Sequence, residues 1–156
     1  HRRDTDVKPT LYRRRLGPAM HSSTHRFAIT VFYEDTDMGG IVYHANYLKY
    51  IERARSAWVR AAGVDQNALR AAGIVFAVRR IAAEFHAPAR LDDALSVETR
   101  VLGGSGARLV MGQAVSDDAS GRLLFDAEVT LVAITLSGRP ARLPAELRRN
   151  LRPLPR

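Results

Sequence analysis

Apolar residues alternate from Phe27 to Tyr33. Phe27, Ile29, Val31 and Tyr33 share one side, with Ala28, Thr30 and Phe32 between them. A period of two marks a strand, because successive side chains leave opposite faces. The pattern stops at Glu34-Asp35-Thr36-Asp37-Met38-Gly39-Gly40, a polar turn. From Asn46 to Ala62 the period becomes that of a helix. Tyr47, Ile51, Ala54, Trp58 and Ala62 form an apolar stripe flanked by Leu48, Tyr50 and Ala61. Lys49, Glu52, Arg53, Ser56 and Arg60 share the opposite side, and Gly63 is a C-terminal stop. A short second helix is expected over 65–72, with Asp65 as its N-cap and Gly73 ending it.

The remainder reads as strands. Ile74 to Phe85 is long and rich in β-branched residues, and His86-Ala87-Pro88-Ala89-Arg90 breaks it. Leu95 to Leu102 follows, with Gly103-Gly104-Ser105-Gly106 as a hairpin signal. Arg108 to Val115 and Leu123 to Leu136 complete the set, separated by the turn Asp117-Asp118-Ala119-Ser120-Gly121. The expected order is one strand, a long helix, then four strands in a meander: an α+β domain with the helix on one sheet face. Val97, Val101, Leu109, Val129 and Leu131 are assigned to the other face. An apolar outer face needs a cover, and a second copy of the chain supplies one, so at least a dimer is expected.

Charge changes this picture little. The chain has 156 residues and a formal net charge of +8, which invites a nucleic-acid reading. The excess sits at the ends: residues 1–19 carry six Lys/Arg against two Asp, and residues 142–156 carry five Arg against one Glu. The stretch between is neutral, so no basic patch on the fold is implied. Residues 1–19 lack a hydrophobic period and are set aside as a disordered or extraneous leader, residues 20–140 as the domain, and residues 141–156 as a basic Pro/Arg-rich tail. No run of eighteen apolar residues and no secretory h-region occurs. The absence of cysteine excludes disulfides, thiolate metal sites and a cysteine nucleophile, and fits a cytoplasmic setting.

The run from Val31 to Leu48 concentrates the chemistry. Three carboxylates, Glu34, Asp35 and Asp37, fall within four residues. Two glycines permit an unusual turn. Ile41, Val42 and Tyr43 then lead to His44 and the helix start. A helix N-terminus presents unpaired N–H groups and a partial positive charge. A carboxylate, an imidazole and oxyanion donors are the parts acyl transfer needs. No Gly-x-Ser-x-Gly elbow, phosphate-binding loop or dinucleotide fingerprint is present, and the five histidines show no metal-ligand spacing.

The run Tyr33-Glu34-Asp35-Thr36-Asp37-x-Gly39-Gly40-Ile41-Val42-Tyr43-His44-Ala45-Asn46-Tyr47 closely resembles the signature of the 4-hydroxybenzoyl-CoA thioesterase family. Within it, the chain looks most like the acyl-CoA thioesterases encoded beside the Tol–Pal envelope system of Gram-negative bacteria. Glu52-Arg53-Ala54-Arg55 and Glu84-Phe85-His86-Ala87-Pro88-Ala89-Arg90-Leu91-Asp92-Asp93 agree with the same resemblance. It implies the hotdog fold, a long helix wrapped by a curved antiparallel sheet, dimerised and often assembled as a dimer of dimers, with the active site between two chains. It implies hydrolysis of acyl-CoA without a metal or other cofactor.

Asp37 matches the family's catalytic carboxylate, as nucleophile on the thioester or general base for a water; Asp35 better fits an Asx-turn residue capping local amides. His44 matches a histidine that orients Asp37 or a water, or protonates the leaving thiolate. Tyr33 matches a tyrosine that either bonds the carboxylate, lines the acyl pocket or is core at a strand end. Gly40, Tyr43 and Asn46 stand as oxyanion-loop residues, as contacts or as structural members of the loop. Arg79, Arg80 and Arg90 are candidates for the phosphates of coenzyme A, against the plainer reading of exposed arginines. Acyl-carrier-protein substrates would use the same residues. A hotdog dehydratase places its Asp/His pair differently, an acyl-binding scaffold needs neither Asp37 nor His44, and an RNA-binding sheet would need an aromatic and basic surface motif that is missing.

Overall fold

The computed structural model describes residues 24–149, so both extreme termini, including 1–19 and the Arg-Pro-Leu-Pro-Arg end, lie outside the described residues. The elements are β1 (His25–Thr30), a 3-10 turn (Tyr33–Asp35), α1 (Asn46–Ala61), α2 (Gln66–Ala71), β2 (Ile74–Phe85), β3 (Ala94–Ser105), β4 (Arg108–Asp117), β5 (Leu123–Thr135) and α3 (Ala145–Arg148). This is the expected α+β arrangement. Asp65 caps α2 as expected, its carboxylate accepting from the amides of Asn67 (2.9 Å) and Ala68 (3.1 Å).

The strands form one antiparallel sheet in the order β1-β3-β4-β5-β2. The expected four-strand meander is therefore only three strands long. β2 pairs with β5 along its whole length instead of with β3, and the connector 86–93 carries the chain back across the sheet end. Nothing in the local period reports which neighbour a strand takes, because edge choice is a long-range property.

The assignment of faces is also corrected. Val97, Val101, Leu109, Val129 and Leu131 belong to the helix-facing core, packed with Ile51 and Ala54 of α1. The register Val97↔Val115, Leu109↔Leu131 and Met111↔Val129 puts them all on one side. The outer face carries the residues between them: Glu98, Arg100, Asp126 and Glu128, with Arg26 bonded to Glu98 at 2.8 Å. Alternation tells two faces apart without saying which one meets the helix.

The buried side of α1 is turned slightly from the expected stripe. Tyr47, Tyr50, Ile51, Ala54, Arg55 and Val59 are buried, Trp58 is partly buried, and Leu48 and Ala61 are exposed. Arg55 is the surprise, at 8 % exposure. Its Nη1 donates to Gln113 Oε1 (2.9 Å), and Gln113 Nε2 donates to the Ile51 carbonyl (2.8 Å) and Thr99 Oγ1 (2.9 Å). Burial pushes the Arg55 guanidinium below its ordinary value, with the Glu52 charge opposing. This network joins α1 to β3 and β4 where an apolar core would leave the helix free to slide.

The hairpin turn sits later than expected. β3 continues through Gly103, Gly104 and Ser105, with a register shift between Val101 and Gly103, and only Gly106 and Ala107 make the turn. Gly106 has φ +58°, a backbone conformation in which glycine avoids the Cβ penalty. The folded unit also runs beyond residue 140. The Leu143 amide bonds the Gly106 carbonyl (3.0 Å), and Leu143 and Leu147 are buried. Gln113→Ala should strand Arg55 Nη1, Thr99 and the Ile51 carbonyl. Urea unfolding is expected to show a loss of about 2–4 kcal/mol, against under about 1 kcal/mol for an exposed control such as Gln66→Ala.

Candidate active site

β1 ends at Thr30, and the chain is then held by the connector: the Val31 amide bonds the Asp93 carbonyl and the Asp92 amide bonds the Val31 carbonyl, both at 3.0 Å. Phe32 and Tyr33 turn outward, Tyr33 being 82 % exposed. Of the readings given for Tyr33, that of a core tyrosine is thereby corrected: β1 ends at Thr30 and the 3-10 turn begins at Tyr33 itself. No hydrogen bond links its hydroxyl to Asp37 among the described residues.

Asp35 is the structural carboxylate of the loop. It is buried, and its Oδ2 accepts the Phe32 amide at 2.8 Å. Its carbonyl collects two donors from the far side of the loop, the Tyr43 amide (2.9 Å) and Asn46 Nδ2 (2.8 Å). Asp37 lies inside the closed loop and is exposed. Its amide donates to the Ile41 carbonyl (2.9 Å), its carbonyl accepts the Gly40 amide (3.0 Å), and its Oδ1 accepts the Gly39 amide (2.8 Å). Gly40 turns at φ +74°. The second carboxylate oxygen is left without a described partner. The loop therefore presents a solvent-facing carboxylate on a backbone that is bonded on each side.

His44 stands at the helix start on an aromatic shelf. Its ring lies 4.6 Å from Tyr43 and 6.3 Å from Phe85. Phe85 packs on Phe125 (5.0 Å) and Tyr47 (5.7 Å), and Tyr47 stacks on Phe125 (5.1 Å, 15°). Burial raises the Tyr47 phenol, which keeps its hydroxyl neutral while the oxygen accepts the Ala89 amide at 3.1 Å. His44 and Asp37 are brought to the same loop but share no hydrogen bond within one chain, among the described residues.

The oxyanion candidates need correction. The amides of Gly40, Tyr43 and Asn46 are all committed, to the carbonyls of Asp37, Asp35 and Tyr43. These three residues build the loop. The amides that the described residues leave without an acceptor at the helix start are those of His44 and Ala45. Counting orphan amides from Asn46 would have pointed to Asn46, Tyr47 and Leu48 instead, and those are bonded to the carbonyls of Tyr43, His44 and Ala45.

The arginines divide. Arg90 borders the loop, bridging Ile41 in β-fashion, with its amide on Asp93 Oδ2 (2.8 Å) and its side chain exposed. Arg79 and Arg80 are exposed on β2, and Arg80 is five residues, about 17 Å, before Phe85. Arg79 lines a groove of about 370 Å³ with Ser105, Arg108, Val132, Ile134 and Pro140, at the opposite end of the sheet from Asp37. One further cluster escaped sequence reasoning: Glu84, His86 and Asp126 converge within 4.8 Å. Asp126 comes from a strand forty residues on, so no spacing announces it, and His86 Nε2 is engaged by Asp126 Oδ1 at 2.8 Å.

One long helix laid on a five-stranded antiparallel sheet, with an exposed carboxylate on the loop before that helix, defines a hotdog-fold domain of the kind that hydrolyses thioesters. The chain belongs to the thioesterase-like superfamily, whose sequence profile matches residues 31–151. It is 40 % identical over 129 residues to the acyl-CoA thioester hydrolase YbgC of Escherichia coli O6:H1, covering 82 % of this chain and 96 % of that one. The crystal structure of a probable thioesterase from Bartonella henselae superposes with a TM-score of 0.73 at 36 % identity, over 78 % of this chain and all of that one. A 1,4-dihydroxy-2-naphthoyl-CoA thioesterase from Synechocystis superposes with a TM-score of 0.75 at 25 % identity, over 81 % and 93 % of the two chains.

A Cβ at Gly39 would meet Asp37 Oδ1 at 3.1 Å. Gly39→Ala should displace the carboxylate while leaving the core untouched. Thioester turnover is expected to fall by about tenfold or more, with a thermal midpoint within a few degrees of wild type.

Proposed function

We propose that the chain hydrolyses acyl-CoA thioesters to the free acid and coenzyme A, with Asp37 as the reacting carboxylate. The carrying observation is the Asp37 geometry: an exposed carboxylate with one oxygen held by the Gly39 amide and the other open, on a loop closed by Asp35 and Asn46. Membership of the thioesterase-like superfamily and the likeness to an acyl-CoA thioester hydrolase support the substrate class.

Asp37 either attacks the thioester carbonyl to give a mixed anhydride that water cleaves, or removes a proton from the attacking water. The carbonyl oxygen gains negative charge in both routes. The unclaimed His44 and Ala45 amides, at the positive end of α1, are suited to receive it. In this reading the imidazole of His44 supplies the proton that the departing thiolate takes up. Hydrolysis written this way needs no metal and no redox cofactor. Arg90, whose backbone bridges Ile41 of the loop, is the candidate cation for the phosphates of coenzyme A; Arg79 and Arg80 would serve a site only if another chain brings one to them. No helix among the described residues is long and apolar enough to cross a membrane, and a cytoplasmic setting beside the Tol–Pal system is part of the proposal.

The oligomer belongs to the same reading, for a reason different from the sheet face. β2 is an edge strand of 12 residues, and Val78 and Phe85 on it are exposed. A long apolar edge pairs readily with a second copy of itself. A dimer through β2, doubled into a dimer of dimers, would cover it.

Thiol release from a panel of short, long-chain and benzoyl CoA esters should show turnover of at least one class. Asp37→Asn should lose at least about a hundredfold in kcat while remaining folded by circular dichroism. Activity only on acyl-carrier-protein esters would move the substrate class, and an active Asp37→Asn would remove Asp37 from the chemistry. In light scattering, wild type should have the mass of a dimer or tetramer and Val78→Glu a smaller one; an unchanged mass would place the interface elsewhere.

A further inference from the structure

β2 and β5 run as a ladder as far as Phe85 opposite Phe125. There the ladder ends, and the amides of His86 (2.8 Å) and Ala87 (3.2 Å) both turn to the Leu124 carbonyl. The His86 side chain adds a further bond at the same point. Its Nε2 lies 2.8 Å from Oδ1 of Asp126, whose exposure is 0 %. Facing a carboxylate, that nitrogen carries a proton and donates, and a bond of this kind is stronger than one between neutral groups. Glu84 stands directly across from Asp126 in the register, and its carboxylate, the imidazole and the Asp126 carboxylate all lie within 4.8 Å of one another.

Phe85 points to the opposite face, into the aromatic shelf that carries His44. The end of β2 is thus stapled on both faces, by rings inside and by the His86–Asp126 bond outside. The connector that leaves this staple holds the catalytic loop. The Ala89 carbonyl accepts the Val42 amide (2.9 Å), Arg90 bridges Ile41, and the Ile41 carbonyl accepts the Asp37 amide (2.9 Å). Only Ala87 and Pro88 separate His86 from Ala89, and proline leaves that segment one fewer rotation.

We infer that His86 is a positioning residue for Asp37, acting from the outer face of the sheet through its bond to Asp126 and the connector 86–93. The kinetic part of this inference rests on the thioesterase reading; the mechanical part does not. The test compares His86→Leu, which removes the donor, with His86→Gln, whose side-chain nitrogen can reach the same carboxylate. Two readouts are taken on the full chain: amide hydrogen exchange at Val42 and Asp37, and steady-state hydrolysis of whichever acyl-CoA wild type turns over.

His86→Leu is expected to speed exchange at both amides by about tenfold, with the amides of β4 unchanged. It should lower kcat by about tenfold with KM within about twofold, and His86→Gln should recover most of both losses. Should His86→Leu fail to fold, Asp126→Asn, which keeps an acceptor and drops the charge, should give a milder form of the same pattern. Unchanged exchange at Val42 and Asp37 would overturn the inference. So would acceleration spread evenly over the core, or a rise in KM at constant kcat, which would make His86 a substrate contact. Faster exchange in a protein whose wild type hydrolyses no thioester would uphold the positioning and remove the thioesterase reading instead.

Discussion

The Asp35 carbonyl receives two donors from the far side of the loop, the Tyr43 amide and the Asn46 side chain. Asp37 lies within the segment closed by both bonds, and His44 and Ala45 within the one closed by Asn46. Asn46 is simultaneously the first residue of α1, so the clasp that closes the loop also sets it against the helix N-terminus. A buried polar group needs its partner, and Asp35 and Asn46 are both buried. Asp37 can therefore remain exposed without becoming loose, because its main chain is bonded to Ile41 and Gly40 within a loop that the buried Asp35 and Asn46 close.

The strand order decides what lies under this clasp. With β2 at the edge beside β5, the connector to β3 must return across the sheet end, and it returns beneath the loop, where Ala89 meets both Val42 and the Tyr47 hydroxyl. The same order brings Phe85 against Phe125 and Tyr47. Inside the sheet the contacts at this end are aromatic; outside they are polar, with His86 on Asp126. Further along α1, Arg55 and Gln113 anchor the helix to the sheet with directional bonds where ring packing has ended. The helix start is thus located by rings and its second half by a hydrogen-bond network. Together they fix how far the His44 and Ala45 amides stand from Asp37.

Local chemistry was legible in the chain. The two helices, the bounds of β2 and the Asp65 cap all depend on residues within a few positions of each other. The Gly103–Gly106 turn was misjudged for a related reason: where a strand ends depends on its partner's register as well as on its own composition. Gly40, Tyr43 and Asn46 stood open as contacts or as structural members of the loop, since a motif marks which residues a loop needs without saying whether their amides are spent inside it.

The sequence by itself determined the element types, the α+β class and, through the Tyr33–Tyr47 run, the family. Periodicity, caps and turns act over one or two turns of chain, and a motif is contiguous. Only the tertiary structure decided that β2 pairs with β5, that the charged face looks outward, that Arg55 is buried on Gln113 and that His86 finds Asp126. Those partners are 58 and 40 residues apart. They meet because strand order and register bring them together, and both are settled by the packing of the whole core rather than by any segment of it.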